Sequence, residues 1–281
     1  MKDRLAVGFW RIPMKTDYSP VALAADNLSV GWGLVLNELA KPGVTRLAPL
    51  TLSITGFDER GVAQEIPEIR AAVDHFLASQ GKRNTENIAW TIFPQQDWEI
   101  AGSDRELFFD VYIESYQRVQ AFNPRNNKRG SYFQRLVDLR GGGQGPNQLK
   151  WLLDDYDQHP KARRTSKFQA TTFDPARDYS STSLLEFPCL QQVSFTFDDG
   201  ALQLNAFYAT QQIARKAYGN YLGLARLGAF VAGQMKLRFE QLNVFVGVAQ
   251  MDIGKTHADV VELLDVVRQH LPPTEDRRAA A

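Results

Sequence analysis

The chain has 281 residues, of which 44% are hydrophobic, enough for one large domain with a full apolar core. Acidic and basic residues balance at 32 each, so no bulk field selects nucleic acid or an anionic membrane surface. The single cysteine excludes an internal disulfide, and the polar start Met1-Lys-Asp-Arg lacks a long apolar leader, so a cytoplasmic protein is expected.

From residue 21 to residue 40 the pattern predicts a helix in which Gly31 and Gly33 permit close packing around Trp32, ended by Pro42-Gly43. Thr45 to Phe57 reads as a strand, with Leu50, Leu52 and Ile54 alternating against Thr51, Ser53 and Thr55. Glu68 to Ser79 carries Ile69, Val73, Phe76 and Leu77 on one helical stripe, and Gly81 closes it. Ile88 to Phe93 is a short apolar segment stopped by Pro94. Asp104 to Phe122 is helical again, through Leu107, Phe108, Val111, Tyr112 and Val119. Asn123 to Pro146 is rich in Gly, Asn and Arg and predicts a ligand-facing loop. A short helix is expected over Asn147 to Tyr156, a strand over Arg164 to Ala170, and irregular chain over Asp174 to Ser183. Val193, Phe195 and Phe197 alternate, Asp198-Asp199-Gly200 turns the chain, and Leu202, Leu204 and Ala206 alternate on the return, which is the clearest hairpin. Asn220 to Met235 is apolar nearly all round and predicts a buried helix, too short to span a membrane. Leu242 to Val248 predicts a strand and Ala258 to His270 a final amphipathic helix. Helices mixed with antiparallel strands predict an α+β protein with one large sheet, a single domain over residues 1–273, and a polar, Ala-rich tail over 274–281.

Several residues offer chemistry. Cys189 follows Pro188 at the head of the hairpin, with Arg163-Arg164 upstream; a thiol near paired cations can bind an anion and attack an electrophile. Its alternative is a buried structural cysteine. The arginine pair reads either as a phosphate grip or as a solvated turn. Asn220 reads as a ligand contact or as the N-cap of the buried helix. Arg129 and Arg135 are further candidates for an anion site. The four histidines, at 75, 159, 257 and 270, share no ligand spacing, so no metal site is expected. Gly141-Gly-Gly-Gln-Gly145 lacks the lysine of a phosphate loop and reads as a flexible loop. Trp90, Trp98 and Trp151 read as core or cleft packing.

Gln148-Leu149, Leu153 and His159-Pro160-Lys-Ala-Arg163-Arg164, followed by Pro188-Cys189, Asp199-Gly200-x-Leu202 and Gly219-Asn220, resemble segments of thymidylate synthases and pyrimidine hydroxymethylases. The likeness runs from about Ser131 to about Leu271. It implies a thymidylate-synthase-like fold, a large mixed sheet flanked by helices, and a homodimer through the sheet. It implies Cys189 as a nucleophile that adds to C6 of a pyrimidine, so that C5 attacks a one-carbon donor, 5,10-methylenetetrahydrofolate in the family. Arg163 and Arg164 are then a phosphate clamp lent across the dimer, Asn220 contacts the edge of a uracil-like base, and Gln212, Gln250 and Asp252 line the substrate. The chain departs from the family where Ala209 replaces the arginine that contacts phosphate and cysteine, Gln212 an aspartate, Leu190 a histidine, and Gln250-Met251-Asp252 the His-x-Tyr that holds the sugar. Asp74 and Glu68 lie only near the place of the general-base glutamate, and no terminal folate-closing segment is expected after Leu271. Arg215 and Arg226 are candidate replacements for the missing arginine. Two functions are compatible with this pattern: methyl or hydroxymethyl transfer at C5 of a pyrimidine nucleotide, or a silent paralogue that binds a nucleotide or a partner protein.

Overall fold

One mixed β-sheet organises the chain. The structure is a computed structural model that describes residues 20–122, 124, 129–143, 145–159, 164–179 and 187–273. Arg163 and the 274–281 tail therefore lie outside the described residues. The sheet contains β1 (Val21–Ala25), β2 (Arg46–Leu47), β3 (Leu50–Ile54), β4 (Gln169–Thr171), β5 (Leu190–Asp198), β6 (Ala201–Gln212) and β7 (Arg238–Gln250). Its order is β1-β3-β7-β6-β5-β4, with β2 also paired to β7. The β5–β6 hairpin is antiparallel, as its turn signal requires, whereas β6–β7 and β1–β3 are parallel.

The start of the chain corrects an expectation. Residues 21–25 are an edge strand rather than the first turns of a helix. Asn27 caps α1 (Leu28–Ala40), its side chain accepting from the amides of Ser29 at 2.9 Å and Val30 at 3.2 Å. Gly33 then lets α1 approach α10 (Ala258–His270): a Cβ there would stand 2.9 Å from Val267. Helix α2 (Pro67–Ser79) follows its predicted stripe, burying Ile69, Val73, Phe76 and Leu77. The apolar segment before Pro94 is the end of α3 (Thr85–Trp90), and α4 (Gln95–Ala101) and α5 (Arg105–Phe122) follow.

Two helices interrupt segments expected to be irregular: α6 (Tyr132–Val137), capped by Ser131, and α8 (Pro175–Asp178). Between them lies α7 (Gln148–Gln158). Arg135 of α6 is buried and donates to the carboxylate of Asp178 of α8 at 2.6 and 3.0 Å. Arg135 is therefore a clamp between helices, not part of an open anion site. The glycine-rich loop is likewise turned inward, since the amides of Gly141, Gly143 and Gly145 all donate to the Asp138 carboxylate, at 3.1, 2.7 and 2.9 Å. Backbone amides converging on an anion form a nest, and here the chain fills its own nest. Trp151, expected as packing, is 54% exposed.

Helix α9 (Tyr218–Met235) is buried along most of its length, and Gly219 and Gly223 bring it against Ile88, Ala89 and Ile92. It covers one sheet face, whose alternating residues Leu52, Val193, Phe195, Leu204, Val244 and Val246 are all buried. On the opposite face Ser53, Asn243, Asn205 and Thr196 are linked side chain to side chain across four strands, and Phe207 stacks on Phe245 at 5.5 Å. No described helix is long and apolar enough to cross a membrane.

Candidate active site

Cys189 stands where β5 begins, half-buried, between Pro188 and the first strand residue. The sheet is irregular at this level. The β5–β6 register shifts between Leu190 and Gln192, so one extra residue kinks β5 beside the cysteine. On β6 the buried positions pass from Tyr208 to Gln211, breaking the two-residue alternation. Beside them Gly247 of β7 comes so close that a Cβ would lie 2.8 Å from the carbonyl oxygen of Ala209. Bulges of this kind re-aim side chains at the rim of a sheet.

The kink gathers polar groups around the sulfur. The Thr210 hydroxyl lies 3.7 Å from Cys189 Sγ, and the Ala209 amide donates to the Cys189 carbonyl at 3.1 Å. Tyr132, the first residue of α6, is raised well above the ordinary phenol pKa, by burial first and the nearby Cys189 next, while the amides of Leu190 and Cys189 pull it back. Tyr208 is fully buried; burial raises its pKa, and the charges of Tyr132, Tyr221 and Cys189 add to the rise. Its hydroxyl has no hydrogen-bond partner among the described residues. The same holds for the amide nitrogen of buried Gln211, whose oxygen accepts from Tyr221 at 2.9 Å. Buried polar atoms left unpaired are costly and concentrate at functional or strained sites.

The other predicted site residues divide into two groups. Gln212 and Gln250 end β6 and β7 and stand side by side in the parallel register, at the same end of the sheet as Cys189. Asn220 is almost completely buried in the first turn of α9. It is not an N-cap, because the helix grows directly out of a π-helical turn, Ile213–Ala217. Asp252 is engaged by the chain itself: its carboxylate accepts from the Ala214 amide at 3.1 Å, its carbonyl accepts from Arg215 at 3.1 Å, and Arg215 also donates to Gln80 at 3.0 Å. Burial raises the Asp252 pKa above the usual carboxylate value. Arg164 is exposed beside a 3-10 turn, Thr165–Lys167. Gln148, read as part of the phosphate-binding segment, holds α7 to β4, donating to the Thr171 carbonyl and accepting from its amide at 2.8 Å each.

Neither candidate replacement for the missing arginine is turned to the sulfur. Arg226 forks onto Glu86 at 2.7 and 2.9 Å, and Arg215 is held as described. Among the described residues, Lys216, in the same π turn, is a cation that interacts with Cys189 electrostatically. The Trp32 indole pins this turn by donating to the Ile213 carbonyl at 3.0 Å. Sequence reasoning missed Lys216 because a π turn has no distinctive periodicity, and missed Tyr132 because Ser131, its capping signal, lay inside a presumed loop.

A mixed sheet flanked by helices, with one half-buried thiol at a strand kink, defines the class of protein in structural terms. No family model matches the chain. It is 25% identical over 162 residues, 57% of its length and 68% of the relative's, to a protein named "Putative thymidylate synthase" from Methanocaldococcus jannaschii. That partial match supports a distant thymidylate-synthase-like relationship.

Proposed function

We propose that the chain is a diverged thymidylate-synthase-like enzyme that activates a pyrimidine nucleotide through Cys189 for one-carbon transfer at C5. The observation that carries this reading is the sulfur itself, half-buried at the kink of β5 and touched by Thr210, with Tyr132 and Lys216 in electrostatic reach. In this chemistry the thiolate lone pair forms a bond to C6. The C5=C6 electron pair moves toward the ring carbonyl as an enolate, and C5 becomes nucleophilic toward the one-carbon donor. Asn220 contacts the base edge, Gln212 and Gln250 line the sugar side, and Arg163 and Arg164 of a second protomer hold the phosphate. Asp252 shapes this wall by fixing the π turn. The polar sheet face with its Phe207–Phe245 stack is the homodimer surface. The donor implied by the resemblance is 5,10-methylenetetrahydrofolate. The buried polar atoms on β6 without a partner among the described residues, the Tyr208 hydroxyl and the Gln211 amide nitrogen, are not a donor and acceptor set matched to a pterin. Incubation with 5-fluoropyrimidine nucleotides followed by intact mass tests the reading: a nucleotide adduct on Cys189 is expected, and its absence with every ribo and deoxy form counts against it.

A second reading is favoured by one observation. Ala209 leaves the sulfur without the family's arginine, and Arg215 and Arg226 are committed elsewhere. In that reading the chain is a silent paralogue that binds a nucleotide or a partner protein. Nucleotide binding and biological output that survive Cys189→Ala select it.

A further inference from the structure

A cavity of about 430 Å³ opens between α9, α4 and the loop that leads into α2. Small-molecule sites typically have volumes of about 300–1,000 Å³. This one stands apart from Cys189. Gly233 and Gln234 line it from the last turn of α9, about 20 Å along the helix from Asn220. The chain then enters β7 at Arg238, which pairs with Ala201 beside the hairpin turn, whereas Gln250 and Gln212 pair at the opposite end of the sheet.

The cavity has an aromatic floor. Phe230 of α9 meets the Phe93 ring at 5.4 Å and the Trp98 indole at 4.9 Å, and Trp98 remains partly open. One wall is the loop before α2. Asp58 holds its shape by accepting from the amides of Arg60 at 2.9 Å and Val62 at 2.8 Å. Gly61 sets that loop against Ala229, where a Cβ would stand only 2.7 Å away. The glycines of α9 mark the open side. A Cβ on Gly219, Gly223 or Gly228 would meet Ile88 at 2.5 Å, the Ala89 carbonyl oxygen at 2.7 Å or Phe239 at 2.3 Å, so packing requires all three. At Gly233 no atom lies within 4 Å of such a Cβ, and the backbone is helical, where glycine is less favourable than alanine. The space above Gly233 belongs to the cavity.

Charge at the rim is uneven. Arg226 is forked onto Glu86, Glu65 accepts from Arg70 at 2.8 Å and Tyr218 at 2.7 Å, and Arg60 pairs with Asp58 at 3.3 Å. Glu99 pairs with no cation among the described residues, and its carboxylate accepts from the Gln95 amide at 3.0 Å. Aromatic rings beside one uncompensated carboxylate favour a flat cation, which gains ring contact and charge together.

We propose that this cavity is a second ligand site, distinct from the thiol site, for a small flat apolar molecule that carries one cationic nitrogen. The apolar body lies against Phe93, Trp98 and Phe230, its edge reaches the bare backbone at Gly233, and the cation faces Glu99.

Benzamidine, benzamide and benzoate share one shape and differ in charge, which makes them the probes. Each is titrated into the isotopically labelled full chain while the indole N–H signals are followed by NMR. The Trp98 signal is the one that disappears in Trp98→Phe. We expect benzamidine to shift it saturably, benzamide to bind about five- to tenfold more weakly, and benzoate to bind more weakly still. Glu99→Gln brings benzamidine to within about twofold of benzamide. Gly233→Leu abolishes the shift with all three probes. Its side chain enters space that no protein atom fills, and leucine suits a helix better than glycine, so the variant folds. Saturable binding without a preference for benzamidine, or a preference that Glu99→Gln leaves intact, overturns the proposed ligand class. The absence of a saturable shift, or a shift that survives Gly233→Leu, overturns the site. Neither readout involves Cys189, so this test and the fluoropyrimidine test fail separately.

Discussion

The hydroxyl of Thr210 stands 3.7 Å from the sulfur of Cys189, just beyond the Leu190–Tyr208 pair that ends the β5–β6 ladder. This contact exists because the bulge at Leu190–Gln192 and the broken alternation on β6 aim both side chains to one side. A hydroxyl here can donate to a thiolate. Bonds to charged groups are worth about 1.5–3 kcal/mol when short and buried, and less at this length and exposure. Thr210→Val should slow iodoacetamide alkylation at pH 7 about threefold, while Thr210→Ser should keep it near the wild-type rate.

Tyr208→Phe removes a fully buried hydroxyl that has no described partner. An unpaired buried polar group costs about 1–3 kcal/mol, so the variant should be more stable. Thermal melting should show the midpoint rising by a few degrees. If the hydroxyl serves the site, the fluoropyrimidine adduct forms more slowly in the same variant, which is the usual exchange of stability for function.

Gly247→Ala should do the reverse. Its Cβ meets the Ala209 carbonyl oxygen at 2.8 Å, a backbone atom that moves only if the kink opens. Overpacking of this kind costs about 1–3 kcal/mol. Urea denaturation should register the loss, and the reactivity of Cys189 should change with it, because the same kink aims the sulfur.

Glu86 is depressed to about 2, chiefly by the Arg226 fork, with burial opposing and Arg70 adding to the fall. A carboxylate lowered on folding stabilises the protein above its ordinary value of 4.5, and that contribution disappears as pH falls through about 2. Asp178, which burial raises but Arg135 and the Asp174 amide lower further, is depressed overall and acts in the same direction. Urea midpoints for the wild type and Glu86→Gln should therefore differ at pH 6, converge below pH 4.5 and meet near pH 2.

The open sheet face predicts oligomeric state. Phe207 and Phe245 are 39% and 41% exposed and stacked on each other amid amide and hydroxyl side chains. Light scattering at micromolar concentration should give the mass of two chains, and Phe207→Glu with Phe245→Glu should give one. A monomeric wild type removes the shared-site geometry.

The hairpin, α2 and α10 were legible through their periodicity, helped in the first two by the stops Asp199-Gly200 and Gly81, and α9 through its unbroken apolar length. β1 was not. Val21-Ala-Leu-Ala-Ala suits either period, and only Asn27, acting as a cap, marks where the helix begins. Arg135 and Asp138 were hidden for a different reason. Composition marks a Gly- and Arg-rich stretch as solvent-facing, but it cannot show that the stretch folds back to satisfy its own charges. Cys189, Gln212 and Gln250 were singled out by motif alone; that the two glutamines stand side by side emerges only from the strand register, and Lys216 lies in a π turn that has no distinctive periodicity.

The indole of Trp32 grips the Ile213 carbonyl at the root of the π turn. A native fluorophore is thus wired to the backbone that carries Lys216, three residues along. Movement of that turn becomes readable as a change in emission, without any dye. With five tryptophans in the chain, the Trp32 component is isolated by comparing wild type with Trp32→Phe.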